Sequence, residues 1–245
     1  MNDRNFFIAI ISFLFLQPVM ADEIIDMSKL ECMIEPQQLI EISSSVPGVL
    51  AAVNVDRGDI IKKGQILARL ESGVEKARVN VARAKSEFNK RKFARNDDLY
   101  KKELISLHER DEVETEWRVS IMELGEAKQV YEQRQLRSPI SGRVVNKHRD
   151  VGEFTGDEPV FTLARIDELY VELVVPVEYY GRFNQDDKLK VIPQKPIGGE
   201  YNAYIKVIDP VVDAGSGTFG IRVLLPNPEK KIPAGIRCAV SILNN

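Results

Sequence analysis

Cysteine, histidine and methionine would carry soft-metal or nucleophilic chemistry, and here they are few and scattered. Cys32 and Cys238 stand far apart, as do His108 and His148, and together they do not make the ligand spacing of a structural zinc site. Met27, Cys32 and Met33 are close in sequence but form no spaced set with the histidines or with Met122. Soft ions need such sets, so these side chains read as core or edge residues. No serine–histidine–aspartate grouping or carboxylate pair stands out for hydrolysis. Gly215 and Gly217 fall between strand patterns, not ahead of a helix, so they make no phosphate loop. The 34 Lys+Arg against 37 Asp+Glu, a net charge of −3, argue against a strongly basic nucleic-acid binder. The expectation is no catalysis, no metal and no cofactor; what remains is binding through surfaces.

The chain that presents those surfaces has 245 residues, 44% hydrophobic and 29% charged, a composition of folded proteins. Phe6–Leu16 is apolar apart from Ser12, follows Arg4, and precedes a small-residue pattern ending at Ala21. The run is too short to span ~30 Å of hydrocarbon. Residues 1–21 are therefore expected to be a secretory signal peptide, and the mature protein to be exported. No lipidation pattern precedes Cys32.

Long-range self-similarity organises the rest. Ser45–Leu50 resembles Pro139–Val144, and ten residues after Gly48 and Gly142 come Gly58 and Gly152. Both glycine pairs are offset by 94 residues (48 to 142, 58 to 152). Leu67–Leu70 then matches Leu163–Ile166 at an offset of 96 (67 to 163). Each copy is a set of short β-branched runs punctuated by glycine. The expectation is one small β-sandwich built from two halves, with Gly48, Gly58, Gly142 and Gly152 at equivalent turns. Between the copies the apolar period changes to about 3.5. Val74, Ala77, Val81, Ala84 and Phe88 give one heptad seam, and Val113, Trp117, Ser120, Leu124, Ala127 and Tyr131 a second. The spacing predicts an antiparallel helical hairpin reversing near Leu104–Leu107, each arm reaching ~45 Å. From Leu169 on, short runs broken by Pro, Gly and Asp predict a small antiparallel barrel.

In this order the sequence resembles the periplasmic adaptor subunits, or membrane fusion proteins, of tripartite efflux systems of the RND and HlyD type. Three stretches carry the resemblance: Ser45–Glu71, Leu136–Val145, and Ile208–Phe219 with Pro226–Pro228 and Ile232–Gly235. The fold class expected is mainly β: a β-barrel, a split lipoyl-like barrel-sandwich hybrid, and an antiparallel coiled-coil hairpin. The divisions are 22–39 for an N-terminal segment joining the barrel, 40–73 for the first lipoyl half, 74–135 for the hairpin, 136–166 for the second half and 167–245 for the barrel. Adaptors that dock onto TolC-type outer-membrane channels carry an Arg, a Leu four residues on, and a Ser seven further on. Arg95, Leu99 and Ser106 occupy those positions. Their chemistry suits the role: Arg95 offers up to five donors, Leu99 lies one turn on along the same face, and Ser106 can cap a second helix.

The resemblance implies an inner-membrane transporter, with the RND type favoured, a TolC-type channel and a ring of copies, six in the family, as partners. Many members have a fourth, membrane-proximal domain woven from both chain ends; it is expected to be absent or vestigial here, leaving pump contact to barrel and lipoyl surfaces. Both chain ends would return to the barrel, so Cys32 and Cys238 are candidates for a disulfide in an oxidising compartment, with buried free thiols as the alternative. A lipoyl-like sandwich also raises the rival of a biotin or lipoate carrier. Lys76 is the lysine nearest the junction between the halves, but it falls on the helical pattern, not in a tight turn. Adaptors of metal-efflux or ABC-type export systems are a further alternative.

Overall fold

The computed structural model describes residues 30 and 32–242; the signal peptide expected at 1–21 lies outside them. The chain runs through β1 (Cys32–Ser43), β2 (Gly48–Val53), β3 (Ile60–Ile61), β4 (Ile66–Leu70), α1 (Gly73–Lys101), α2 (Leu107–Glu132), β5 (Gln135–Arg137), β6 (Gly142–Lys147) and β7 (Phe154–Thr155). It continues with β8 (Pro159–Pro176), β9 (Lys188–Pro193), β10 (Tyr201–Ile208), β11 (Thr218–Pro226) and β12 (Ile236–Ile242).

The barrel closes on itself. Its strands are ordered β1-β12-β9-β10-β11-β8, and β8 pairs back onto β1. Along β8, Leu169, Val171, Leu173 and Val175 are buried at every second residue, the period of a strand with one face on a core. Ile34, Ile205 and Ile221 fill the same interior. Full closure leaves no open sheet edge.

The second core is the sandwich. Leu50, Ile61, Leu67 and Leu70 from the first copy pack with Leu136, Val144, Phe161 and Leu163 from the second. The halves exchange strands: β3 of the first pairs with β6 of the second, and β2 of the first with β7 of the second. Two strands, β1 and β8, pass from sandwich to barrel as one antiparallel pair with a bulge between Pro36 and Gln38, so the divisions expected at 39/40 and 166/167 fall within strands.

The register of the repeat differs from the expected one in its last strand. Leu50 faces Leu70 in the first copy and Val144 faces Leu163 in the second. The equivalence is therefore 93 (70 to 163), not 96: the matching Leu-Ala-Arg letters are coincidence, and ladder position decides. Both copies also break register at the same place, after Leu50 and after Val144.

α1 and α2 lie side by side and antiparallel. Cross-helix ion pairs run in opposite order along them: Glu75–Arg134 at the root, Lys85–Glu123, Lys92–Glu116, then Asp97–Arg110 near the tip. Exposed pairs like the middle two contribute at most about 1 kcal/mol each, so they fix register more than stability. The seam expected on α2 faces α1, with Val113 and Ser120 buried and Trp117, Leu124, Ala127 and Tyr131 half-buried. The seam expected on α1 does not face α2. Val81 is 70% and Phe88 54% exposed, and Val74, Ala77 and Ala84 also face outward. The residues turned toward α2 are Glu75, Val79, Ala82, Ser86, Asn89 and Phe93, also at heptad spacing, roughly a third of a turn or more away at 100° per residue. Ala82, Ser86 and Asn89 line the middle of this interface, and Asn89 donates to the Glu116 carbonyl across it at 3.4 Å.

Candidate functional site

The tip is built by two caps. α1 ends with Glu103 in the left-handed region, φ +60°. Its N–H donates to the Tyr100 carbonyl (2.8 Å), and the Leu104 N–H to that of Leu99 (3.0 Å). This 6→1 and 5→2 pair satisfies carbonyls that the helix end leaves free. α2 begins with Ser106, whose hydroxyl accepts from the Glu109 N–H (3.2 Å), while the Glu109 carboxylate accepts from the Ser106 N–H (2.8 Å). That reciprocal pair is a capping box, and the bonds from Ser106 hold the Glu109 carboxyl below the usual carboxylate range.

Arg110 is the residue the sequence reasoning missed. It donates to Asp97 across the hairpin (3.1 Å) and to Asp111 and Glu114 on its own helix (3.0 Å each). Its guanidinium also lies over the Phe93 ring at 5.5 Å, and Phe93 stacks on Trp117. The signal was available: three residues back from Val113 along the α2 seam falls on 110, where a charge needs partners. Asp97 is held below its ordinary pKa, first by Lys101 and then by Arg110.

This scaffold leaves three leucines open at the tip, among exposed charged residues. Leu99 is 38% and Leu104 65% exposed, and Leu107 is exposed as well. Arg95 is exposed and has no hydrogen bond or ion pair among the described residues. Arg95 lies one heptad beyond Phe88, so the outward stripe of Val74, Val81 and Phe88 leads to it. Ser106 serves as a helix cap, which by itself accounts for a serine there.

At the hairpin root, Arg134 donates to Glu75 (2.8 and 3.1 Å) and to the Pro47 carbonyl (2.9 Å). The Glu75 side chain is only 11% exposed. Its carboxyl is held low, first by a hydrogen bond within its own helix turn and then by Arg134, against burial, which opposes the charge. Lys76 lies in the first turns of α1, not at a β-turn of the kind a carrier lysine needs.

The turn glycines divide into two kinds. Gly58 and Gly152 hold φ of +93° and +88° in matching turns. The Gly58 N–H donates to the Val144 carbonyl and the Gly152 N–H to that of Leu50 (2.9 and 2.8 Å), so each copy's turn is tied to the other copy's strand. Gly48 and Gly142 are not in turns: they open β2 and β6. What excludes a side chain at Gly142 is contact, since a Cβ there would sit 2.2 Å from the Ala164 carbonyl oxygen. At the barrel, Cys32 and Cys238 face each other in the β1–β12 ladder and are disulfide-bonded, Cα atoms 5.2 Å apart. The bond takes the Cys32 thiol out of any metal-binding set with Met33.

Residues 38–165 match the family described as CzcB-like, barrel-sandwich hybrid domain. The multidrug resistance protein MdtE of Escherichia coli K12 is 25% identical over 230 residues, 82% of this chain and 60% of that protein. The cobalt-zinc-cadmium resistance protein CzcB of Cupriavidus metallidurans is 22% identical over 211 residues, 80% of this chain and 40% of that one. Among solved structures, a MacA–MexA chimeric protein with the Pseudomonas aeruginosa MexA α-hairpin domain superposes with a TM-score of 0.75 at 16% identity, covering 87% of this chain and 77% of the other. The chain belongs to the CzcB-like barrel-sandwich hybrid family, that of the membrane fusion proteins, or periplasmic adaptors, of efflux systems. It spans 40–60% of the length of these curated relatives.

Proposed function

We propose that the protein is a periplasmic adaptor that bridges an inner-membrane efflux transporter, of RND type, and a TolC-type outer-membrane channel. Its hairpin works as a two-stranded coiled coil, and its tip, with Arg95, Leu99 and Ser106, meets the channel. The observation that carries this reading is the hairpin end: a doubly capped reversal that exposes Leu99, Leu104 and Leu107 beside an arginine with no ion pair among the described residues. Apolar side chains held outward at the end of a helical arm are a contact surface in search of a partner. Arg95 supplies donors for carbonyl or carboxylate acceptors on that partner.

A contact at one tip is small, so each copy binds weakly, and a ring of copies gains through multivalency. The outward stripe of Val74, Val81 and Phe88 supports such a ring, because it gives neighbouring hairpins an apolar line along which to pack. We assign the contact with the transporter to barrel and sandwich surfaces.

The test is efflux in cells that carry the cognate transporter and channel. Arg95→Asp and Leu99→Asp should each abolish export while leaving expression and thermal midpoint unchanged. Full export by both variants would refute tip docking.

A further inference from the structure

The sandwich meets the barrel at a cleft of about 580 Å³. Four cationic side chains line it, Lys62, Lys63, Arg165 and Lys230, against one carboxylate, Asp167. In a chain of net charge −3 this is a local reversal of sign. Asp167 is already satisfied: Arg165 grips both its oxygens, at 2.9 and 3.0 Å. The ammonium groups of Lys62, Lys63 and Lys230 have no hydrogen-bonded or ion-paired partner among the described residues, and Lys230 gives Asp167 only a longer-range attraction.

Both walls are held by hydrogen bonds. On the sandwich side, the Gly64 N–H donates to the Ser138 carbonyl (2.7 Å) and the Lys63 N–H to the Ser141 hydroxyl (3.0 Å). On the barrel side, buried Asn227 donates to the Ile166 and Ile232 carbonyls (2.8 and 2.9 Å) and accepts from the Ile232 N–H (3.1 Å). Its own N–H donates to the Asp167 carbonyl (2.9 Å). The loop that carries Lys230 is thereby fastened to β8. Lys230 itself holds φ +54°, a conformation that a residue with a Cβ keeps only where its surroundings impose it. Between them β8 bulges: Pro36 pairs with Leu169 and Gln38 with Arg165, so Gln37 faces Ile166, Asp167 and Glu168 together. Bulges of this kind re-aim side chains beside sites.

The repeat supplies an internal comparison. The second copy's corresponding loop, Gly156–Glu158, is one residue shorter than Lys62–Gln65 and acidic. The strand exchange forms equally with that loop, so the fold does not require Lys62 and Lys63. Neither does charge pairing, since no carboxylate among the described residues pairs with them.

We propose that this cleft binds a phosphate-bearing polyanion. Three unpaired ammonium groups on two fixed walls match several phosphate oxygens at once, and the pairing of Asp167 with Arg165 removes the nearest repulsion. Ile60, 64% exposed on the sandwich wall, leaves room for an apolar body beside the anion. The ligand spans both walls, so it fastens sandwich to barrel. The phosphate comes either from a free anion or from a lipid headgroup. This reading does not depend on the tip docking proposed above.

The experiment is calorimetric titration of the full mature chain with sodium pyrophosphate at low ionic strength, with amide NMR shifts to locate the site. The expected result is saturable binding that weakens with salt, with shifts at Lys62, Asp167 and Lys230. Lys62→Glu with Lys230→Glu should weaken it at least tenfold, and Lys62→Arg with Lys230→Arg should retain it. Lys62→Gln with Lys63→Gln gives the same reading, a weakening, should the reversed pair lower the thermal midpoint. Sedimentation with phosphatidylglycerol vesicles, lost on charge reversal, assigns the phosphate to a headgroup; pyrophosphate binding without sedimentation assigns it to a free anion. Heat of dilution alone, shifts confined to the hairpin, or wild-type affinity in the charge-reversed and neutralised variants would overturn the proposal.

Discussion

Gly48 and Gly142 occupy the same place in the two copies, yet they should respond differently to the same methyl group. At Gly142 a Cβ would lie 2.2 Å from the Ala164 carbonyl oxygen and 3.0 Å from its carbon, both main-chain atoms of β8. Carbon and oxygen do not approach within about 3 Å, so β6 must move away from β8 by nearly 1 Å, where Arg143 pairs with Ala164. Overpacking of this kind costs about 1–3 kcal/mol, and a weakened ladder hydrogen bond adds about 1 kcal/mol. At Gly48 the nearest atoms are the Arg134 guanidinium (3.0 Å) and the Leu70 side chain (3.3 Å), which can give way. Gly142→Ala should therefore lose roughly 2–4 kcal/mol in urea unfolding followed by circular dichroism, a fall of about 5–15 °C in Tm at this chain length. Gly48→Ala should stay within about 1 kcal/mol, helped by the smaller entropy of the unfolded alanine chain. Equal losses, or a neutral Gly142→Ala, would refute the reasoning from close approach.

Cys32→Ser with Cys238→Ser opens a loop of sequence separation 206, so the chain-entropy model sets the loss at about 5 kcal/mol; urea midpoints of oxidised and double-serine protein measure it. Glu103→Gly relieves a left-handed residue that carries a Cβ and should raise stability by roughly 0.5–1 kcal/mol, read from the thermal midpoint. Because Glu75 has a folded pKa below its ordinary 4.5, its stabilising effect is full above about that pH and is lost as pH falls through the folded value. Arg134→Gln should therefore flatten the dependence of urea midpoint on pH below 4.5, and an unchanged acid slope would count against the Glu75–Arg134 contact.

Much of the fold was legible because some residues leave few alternatives. Gly58 and Gly152 hold a left-handed turn at which a side chain would be strained, so their spacing marked the duplication directly. The α2 seam was legible because Val113 and Trp117 are large and stand among charged neighbours. On α1 the largest apolar residues at heptad spacing, Val81 and Phe88, face outward, while Ser86 and Asn89 are buried; hydrophobic periodicity alone points to the wrong face when a close helix contact selects small residues. The last strand of the repeat misled through matching letters, since only the ladder shows which residues face each other. Arg95, Leu99 and Ser106 follow from the family resemblance and stand as a proposed docking set, whereas Arg110 acts through partners on both helices. The basic cleft was out of reach because it joins segments near residues 62, 141, 165 and 230 that no local window connects.

β1 and β8 run together from one core into the other, which makes the boundary between sandwich and barrel a ribbon and not a tether. A tether lets its ends swivel; a hydrogen-bonded ribbon carries torque. A rotation imposed on the barrel would reach the base of the hairpin as twist, and along a ~40 Å helical arm a few degrees at the root become a sideways swing of several ångströms at the tip. That ladder is interrupted at the bulge opposite Gln37, whose side-chain amide donates to Glu168 at 2.7 Å. The path from barrel to hairpin thus runs through one short irregular stretch of ladder, far from the tip.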